Sequence, residues 1–460
     1  MSVGYGMALI ELLTRTGVVN FDDEVLRGDV EAGADDTDAR EMTRLVYVLW
    51  QRWVRQGAVI NHEALEDLVR RSESLFGEAE HLRSALDYLL LWAEAIRYSK
   101  AKDLAGPYHE VFTNGNHVAA IGRRIDAIGG ELSTEYGALM FRALLASTSD
   151  RNAAASLFQA ANAASPEFAK ATLLDQFAST YFSTSELSTR ADEVDERRRS
   201  LLGEFQLMSE PKQGDGEGTL FLFSCDPVYF AIYLPYWISL SQYLLDLDVS
   251  LHFVLVCEQR EAAEILDRGR KVIESTTHLR GGDLDLLGEH LSFSQVEVPG
   301  YVKDRTTFYA CARYLVARNL DRQFKGRVVI LDIDMTVRSD PGVFLQRLRE
   351  VSDLRLPIVI AGGLESLIPT RRYMAGTFPV PKGELGERVM QSLETYIYAG
   401  LSSAVSGTLD QNALAYVAEG MIREYGPDAL IAVGKLGQPF VQLAPVKQMQ
   451  EAGQRKLEVP

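Results

Sequence analysis

Cysteine, histidine, long apolar runs and basic charge are all in short supply in this chain, and each shortage removes a class of chemistry. The 460 residues include three cysteines and seven histidines. No CxxC pair and no Cys/His spacing of a zinc site occurs. Cys225 and Cys257 close apolar runs that read as strands, and Cys311 sits in a helical pattern. Buried, reduced thiols of a cytoplasmic protein are therefore expected. No apolar stretch approaches the roughly 18 residues needed to cross a bilayer. The opening MSVGYGMALIELLTRTG carries neither a basic n-region nor a small-residue cleavage site. The expectation is a cytoplasmic protein without a transmembrane segment, with peripheral membrane association left open. Lys and Arg number 47 against 64 Asp and Glu, a net charge of −17. That excludes a general nucleic-acid binder, which needs clustered positive charge, but not a local basic pocket for one diphosphate.

What is present is the composition of a globular protein, with 47% hydrophobic and 24% charged residues. The length suggests two or three domains. The first two hundred residues read as helices. Leu82, Leu86, Leu89, Ala93 and Ile96 mark one helical face, and Leu45, Leu49 and Trp53 another. Asp150 is expected to cap a helix running to Ala163, and Ser165-Pro166-Glu167 to start its partner in an αα-hairpin. The hairpin has a tetratricopeptide-like look without a 34-residue period, so the domain reads as an irregular helical bundle or a TPR-like array. ADEVDERRRS within 187–205 reads as an exposed charged helix. EPKQGDGEG (210–218) reads as the linker that ends an all-α domain at 1–209.

From 219 the pattern alternates. TLFLFS, SLHFVLVC, LSFSQVEVP, RVVILDID and PIVIAGG read as strands, with helices through YLPYWISLSQYLL, from about Gln259, and through TTFYACARYLVARNL. Such alternation predicts a mainly parallel sheet covered on both faces, an α/β domain over 219–460. Ligands in these sheets bind beyond the carboxyl ends of strands, near a switch in strand order. Ser224-Cys225-Asp226 and Asp332-Ile-Asp334 stand at such ends.

Other Asp-x-Asp triplets, at 36–38, 246–248 and 283–285, lie in polar or mixed surroundings and read as turns or helix faces. Only Asp332 and Asp334 follow a run such as VVIL. If the strand continues through them, alternation puts both carboxylates on one side. Held together, they repel unless a proton or cation lies between them, and hard oxygen ligands suit Mg²⁺ or Mn²⁺.

Two superfamilies write a similar stretch. LDIDMT resembles the first motif of haloacid-dehalogenase-like phosphatases. That motif opens its domain, whereas here several strands precede it. PIVIAGG ends in Ala361-Gly362 where that family needs Ser or Thr, and ALIAVGK holds no late acidic pair. Residues 219–440 resemble a GT-A-fold glycosyltransferase, nearest in layout to glycosyltransferase family 8. The resemblance rests on FLFSCDPVYFAIYLPYWISLSQ, TTFYACARYL, the DxD strand, RRYMAGTFPVP, GTLDQNALAYV and VGKLGQPF, in that order.

The resemblance implies a sugar transferred from a nucleoside diphosphate donor, UDP by analogy, to a saccharide or protein acceptor, with retention of configuration favoured. It implies Asp332 and Asp334 as ligands of Mn²⁺ or Mg²⁺. Donor contacts would come from Ser224, Asp226, Tyr229, Arg313, Asp332, Gly376 and Lys435, with Asp410 and Gln411 beside the reacting sugar. Arg313 would either pair with the diphosphate or orient Asp332. Plainer roles are open to several of these residues: helix cap for Asp226 and Asp410, core packing for Tyr229, solvated helix face for Arg313, turn glycine for Gly376. The chain departs from the family in three places. The last histidine is His290, Gln438 stands for the closing Lys, and Met374 stands for an Asn. A third protein ligand to the cation is not identified. A catalytically inactive interaction protein is the rival reading, and the helical domain offers a surface for a partner or for self-association.

Overall fold

The computed structural model describes residues 136–147, 149–164, 177–211, 218–280, 284–337, 341–350, 355–360, 372–403, 406–435 and 441–443, with isolated positions between 67 and 134. The helical faces expected at 45–53 and 82–96, the helix from Ser165, the linker core at 212–217, the Asp36 triplet, Asp283, and Ala361-Gly362 lie outside these. No described helix is long and apolar enough to cross a membrane. The chain divides into two compact units: Met1–Ser183 with Glu365–Ile368, and Thr184–Leu364 with Pro369–Pro460.

In the first unit, α1 (Tyr136–Ala146) packs on α2 (Arg151–Ala164). Asp150 caps α2 as the sequence predicts, accepting from the N–H groups of Asn152 and Ala153, both at 3.0 Å. Phe158 meets Phe177 and Tyr181 edge-on at 5.0 and 4.9 Å.

The second unit is α/β. Its elements are α3 (Thr184–Thr189), α4 (Ala191–Glu204), β1 (Gln206–Leu207), β2 (Thr219–Cys225), α5 (Pro227–Leu245), β3 (Val249–Val256), α6 (Gln259–Arg280), α7 (Leu284–His290), β4 (Leu291–Val296), α8 (Arg305–Gln323), β5 (Arg327–Leu331), β6 (Met335–Val337), α9 (Pro341–Glu350), β7 (Leu356–Ile360), β8 (Thr377–Pro379), α10 (Gly383–Gly400), α11 (Leu409–Tyr425), β9 (Leu430–Lys435) and β10 (Val441–Leu443). The main sheet runs β1-β4-β3-β2-β5-β8. Its four central strands are parallel, and both edge strands are antiparallel. The predicted fifth strand, PIVIAGG, forms at 356–360 but pairs with β9 in a separate two-stranded sheet.

Strand alternation divides the core. Phe221, Phe223 and Cys225 face α5 together with Phe253, Val329 and Leu331. Phe223 stacks on Phe253 at 5.0 Å and lies 4.5 Å from Trp237, so truncating it would cost about 3–5 kcal/mol. Buried Leu220, Leu222, Val328 and Ile330 are on the opposite parity, and α8 packs against β2 and β5. His252 lies between Ser292 (2.7 Å) and Ser294 (2.9 Å), and burial pushes its imidazole down to about 3. This histidine is a neutral core group. All three cysteines are buried and free.

The charged segment forms the expected helix and exposes most of its charges, but one face is seated on the sheet domain's helices. Helix α4 packs on α10, with Val194, Arg197 and Leu201 buried. Arg190 donates to the Ala399 carbonyl at 3.0 Å and Arg197 to that of Tyr398, both at the C-terminal end of α10, where the helix dipole favours cations. Glu394, 3% exposed, lies between Arg198 (3.4 Å) and Arg318 (3.5 Å). Burial pushes its carboxyl up to about 7, against the pull of both arginines.

Candidate functional site

Strands β2, β3 and β4 are laid down in that order in one direction, and α8 then returns the chain to place β5 on the free side of β2. The order therefore reverses between β2 and β5. In open parallel sheets such a reversal leaves a crevice beyond the carboxyl ends, because the flanking connections go to opposite faces. Both strand ends singled out in the sequence border this place. Counting on from the Leu222–Ile330 pair, Asp332 stands level with Ser224.

The two aspartates are not on a strand. Strand β5 stops at Leu331, and residues 332–334 form a turn closed by the Met335 N–H on the Asp332 carbonyl at 3.2 Å. Strand alternation thus does not align the carboxylates; the turn brings them near each other. The Asp332 N–H donates to the Gly376 carbonyl at 2.8 Å. A Cβ on Gly376 would run into Asp332 Oδ2 and Met335 Cε. Glycine is required here because the aspartate turn presses on this backbone. Trp237 of α5 holds the turn from the other side, its indole N–H donating to the Ile333 carbonyl at 2.8 Å.

Arg313 is neither solvated nor free. It is 1% exposed, ion-paired with Asp332, and 3.4 Å from Asp410. Burial works against its charge, yet Asp332, Tyr314 and Asp410 hold its guanidinium above the ordinary arginine range. One residue of α8 thereby ties the aspartate turn to the start of α11. Asp410 is not the cap of α11, since the helix starts at Leu409 with Thr408 in the cap position. One Asp410 oxygen accepts from the Gln411 N–H at 2.8 Å and the other faces Arg313. Burial pushes the Asp410 carboxyl up to about 6, with Arg313 opposing. Burial, reinforced by Asp332, likewise pushes Asp334 up to about 6. The turn, Arg313 and Asp410 form one coupled acid–base–acid group.

Asp226 caps α5, accepting from the Tyr229 N–H at 2.7 Å, with Pro227 as the first helical residue. Tyr229 is 40% exposed, so the core reading fails and its ring is open to solvent. Ser224 is buried and donates to the Tyr309 carbonyl, which makes it part of the sheet–α8 packing. Gln411 is half-buried beside Asp410. Lys435 ends β9 opposite Ile360, and its side chain lies outside the described residues.

Two residues that sequence reading passed over belong here. Tyr233 and Trp237 follow Tyr229 at steps of four, a signal visible in YFAIYLPYW. The Tyr229 and Tyr233 rings are 5.5 Å apart.

Among the described residues, no group of three His, Cys, Asp or Glu is placed to hold a metal ion. The pair Asp332 and Asp334 is nevertheless a fitting donor set for a hard cation. Mg²⁺-type sites commonly use one or two carboxylates and complete the shell with water and substrate phosphates. Comparison of the chain with protein-family models, curated proteins and solved structures found no match.

Proposed function

We propose that the second unit is a nucleotide-sugar-dependent glycosyltransferase of the GT-A type. The observation that carries this reading is the placing of the two-aspartate turn at the strand-order reversal between β2 and β5, backed by Arg313 and Asp410. Asp332 and Asp334 would hold Mg²⁺ or Mn²⁺, which when bound neutralises charge developing on a leaving diphosphate. The exposed Tyr229 ring offers a stacking face for a nucleobase at the rim of the same crevice.

Arg313 is the positioning residue of this reading. Fixed under the turn, it orients Asp332 and Asp410 together rather than reaching a phosphate itself. Asp410 has one oxygen on Gln411 and the other on Arg313, an arrangement suited to orienting sugar hydroxyls rather than to taking an acceptor's proton. That supports transfer with retention over a general-base mechanism. The acceptor would be a saccharide or protein.

A release assay tests the proposal. Purified protein is screened with nucleoside diphosphate sugars and Mn²⁺, and free nucleotide is measured for wild type and Asp334→Ala. Slow donor hydrolysis that disappears in the variant supports the reading; no hydrolysis and no stabilisation by Mn²⁺ with uridine diphosphate overturns it. The outcome would then favour an interaction protein whose Asp332 is permanently occupied by Arg313, the observation that recommends this second reading.

A further inference from the structure

Helix α5 presents Tyr229, Tyr233 and Trp237 one turn apart along a single face. Trp237 grips the carbonyl of Ile333, the residue between the two aspartates. Tyr229, nearest the helix start, lies open at 40% exposure. Tyr233, between them, is fully buried, and its hydroxyl has neither accessible surface nor a hydrogen-bond partner. A buried phenol normally finds a partner, and a phenylalanine would fill the same space without leaving a polar group unpaired. The hydroxyl therefore asks for an acceptor. Tyr233 shares a core cluster with Trp237 and Ile333, the residue before Asp334, which sets its ring against the turn; burial first, and the Asp334 charge after it, push the phenol up to about 12. Among the described residues, no side-chain hydrogen bond or ion pair engages the Asp334 carboxylate; its backbone partner is its own N–H.

We infer that Tyr233 is a positioning residue for a divalent cation at the two-aspartate turn, its hydroxyl donating to the Asp334 carboxylate once the cation is held. The inference rests on the reading of Asp332 and Asp334 as cation ligands. Carboxylates that bind metals are themselves hydrogen-bonded, and the partner limits which oxygen turns to the ion. In the chain as folded, Trp237 fixes the backbone of the turn; with the cation held, Tyr233 would supply the donor that the Asp334 side chain lacks. Tyr233 touches neither substrate nor reacting atoms, so its effect is read in binding.

The test is a titration of Mn²⁺, with uridine diphosphate present, followed by the electron paramagnetic resonance of free Mn²⁺. The proteins are wild type, Tyr233→Phe and Tyr398→Phe. Tyr398 is an equally buried tyrosine with an unpartnered hydroxyl, and it lies near Glu394 on α10 rather than at the turn. Loss of an outer partner weakens metal binding by about 10- to 100-fold, so Tyr233→Phe is expected to bind Mn²⁺ at least about tenfold more weakly. Tyr398→Phe is expected to match wild type. Without metal, Tyr233→Phe should melt no lower than wild type, because it removes an unpaired polar group. Tight binding by wild type with unchanged affinity in Tyr233→Phe overturns the inference and leaves the cation reading standing. Equal weakening in both variants overturns it as a general loosening of the core. No Mn²⁺ binding by wild type removes the cation reading and the inference together.

Discussion

Glu394→Gln isolates the electrostatics at the packing of α4 and α8 on α10. In the folded chain burial pushes the Glu394 carboxyl from its ordinary 4.5 up to about 7, with Arg318 and Arg198 opposing. A carboxyl with a raised value binds its proton more tightly folded than unfolded. The stability it contributes is fully present below about pH 4.5 and is lost as pH rises through about 7. A tenfold change in proton affinity is worth about 1.4 kcal/mol, so the rise from 4.5 to about 7 amounts to about 3 kcal/mol. Between about pH 5 and about pH 8 wild type should lose about 2–3 kcal/mol that the glutamine variant keeps. Arg198 on α4 and Arg318 and Arg322 on α8 face this group, and guanidinium groups do not titrate in that window. Tyr398, raised chiefly by burial, stays neutral there. Melting of both proteins across this range is the assay, and the gap in melting temperature should widen by roughly 5 °C toward alkaline pH. Two parallel profiles would refute the reasoning, because they would mean that Glu394 ionises in the folded chain at its ordinary value.

Three further substitutions probe the site. Arg313→Met removes the cation between Asp332 and Asp410, and breaking a buried pair of this kind costs about 3–5 kcal/mol, read from the urea midpoint. A loss below about 1 kcal/mol would show that water replaces the arginine. Gly376→Ala forces a Cβ against Asp332 and Met335, with an expected cost of about 1–3 kcal/mol in thermal melts and weaker Mn²⁺ binding. Trp237→Phe keeps the ring but leaves the Ile333 carbonyl without its indole donor, for about 1–3 kcal/mol in denaturant melts.

Much of the sheet was legible in the sequence because each central strand is an apolar run with its own helix between. Runs at 219–224, 250–257 and 291–299 become β2, β3 and β4 with shifts of one to three residues at their ends. The end of the fourth run was not legible. Asp332 still follows the β5–β8 pairing through its N–H on the Gly376 carbonyl, and the chain turns directly after it, with the Met335 N–H on the Asp332 carbonyl and the indole of Trp237, remote in sequence, on that of Ile333. Partner choice was also hidden: the pattern of PIVIAGG announces a strand, but its pairing with β9 is a long-range event that local composition does not encode. The sequence left Arg313 open between a diphosphate contact, a partner for Asp332 and a solvated helix face, and it hid the burial of Arg197 on α4, for a common reason. An arginine in a helix looks solvated until the carboxylates or carbonyls that surround it are placed by other segments. Tyr233 was overlooked because an aromatic at helical spacing normally means core, and core it is, apart from its hydroxyl.

The pairing of β1 with β4 and the seating of α4 on α10 bear on how this chain is cut. A fragment started after the polar stretch near 218, where the sequence invites a boundary, would strip the outer edge from β4 and uncover the carbonyls of Tyr398 and Ala399. Bared strand edges template pairing between molecules, so such a fragment should aggregate, whereas one begun at Thr184 keeps both covers in place.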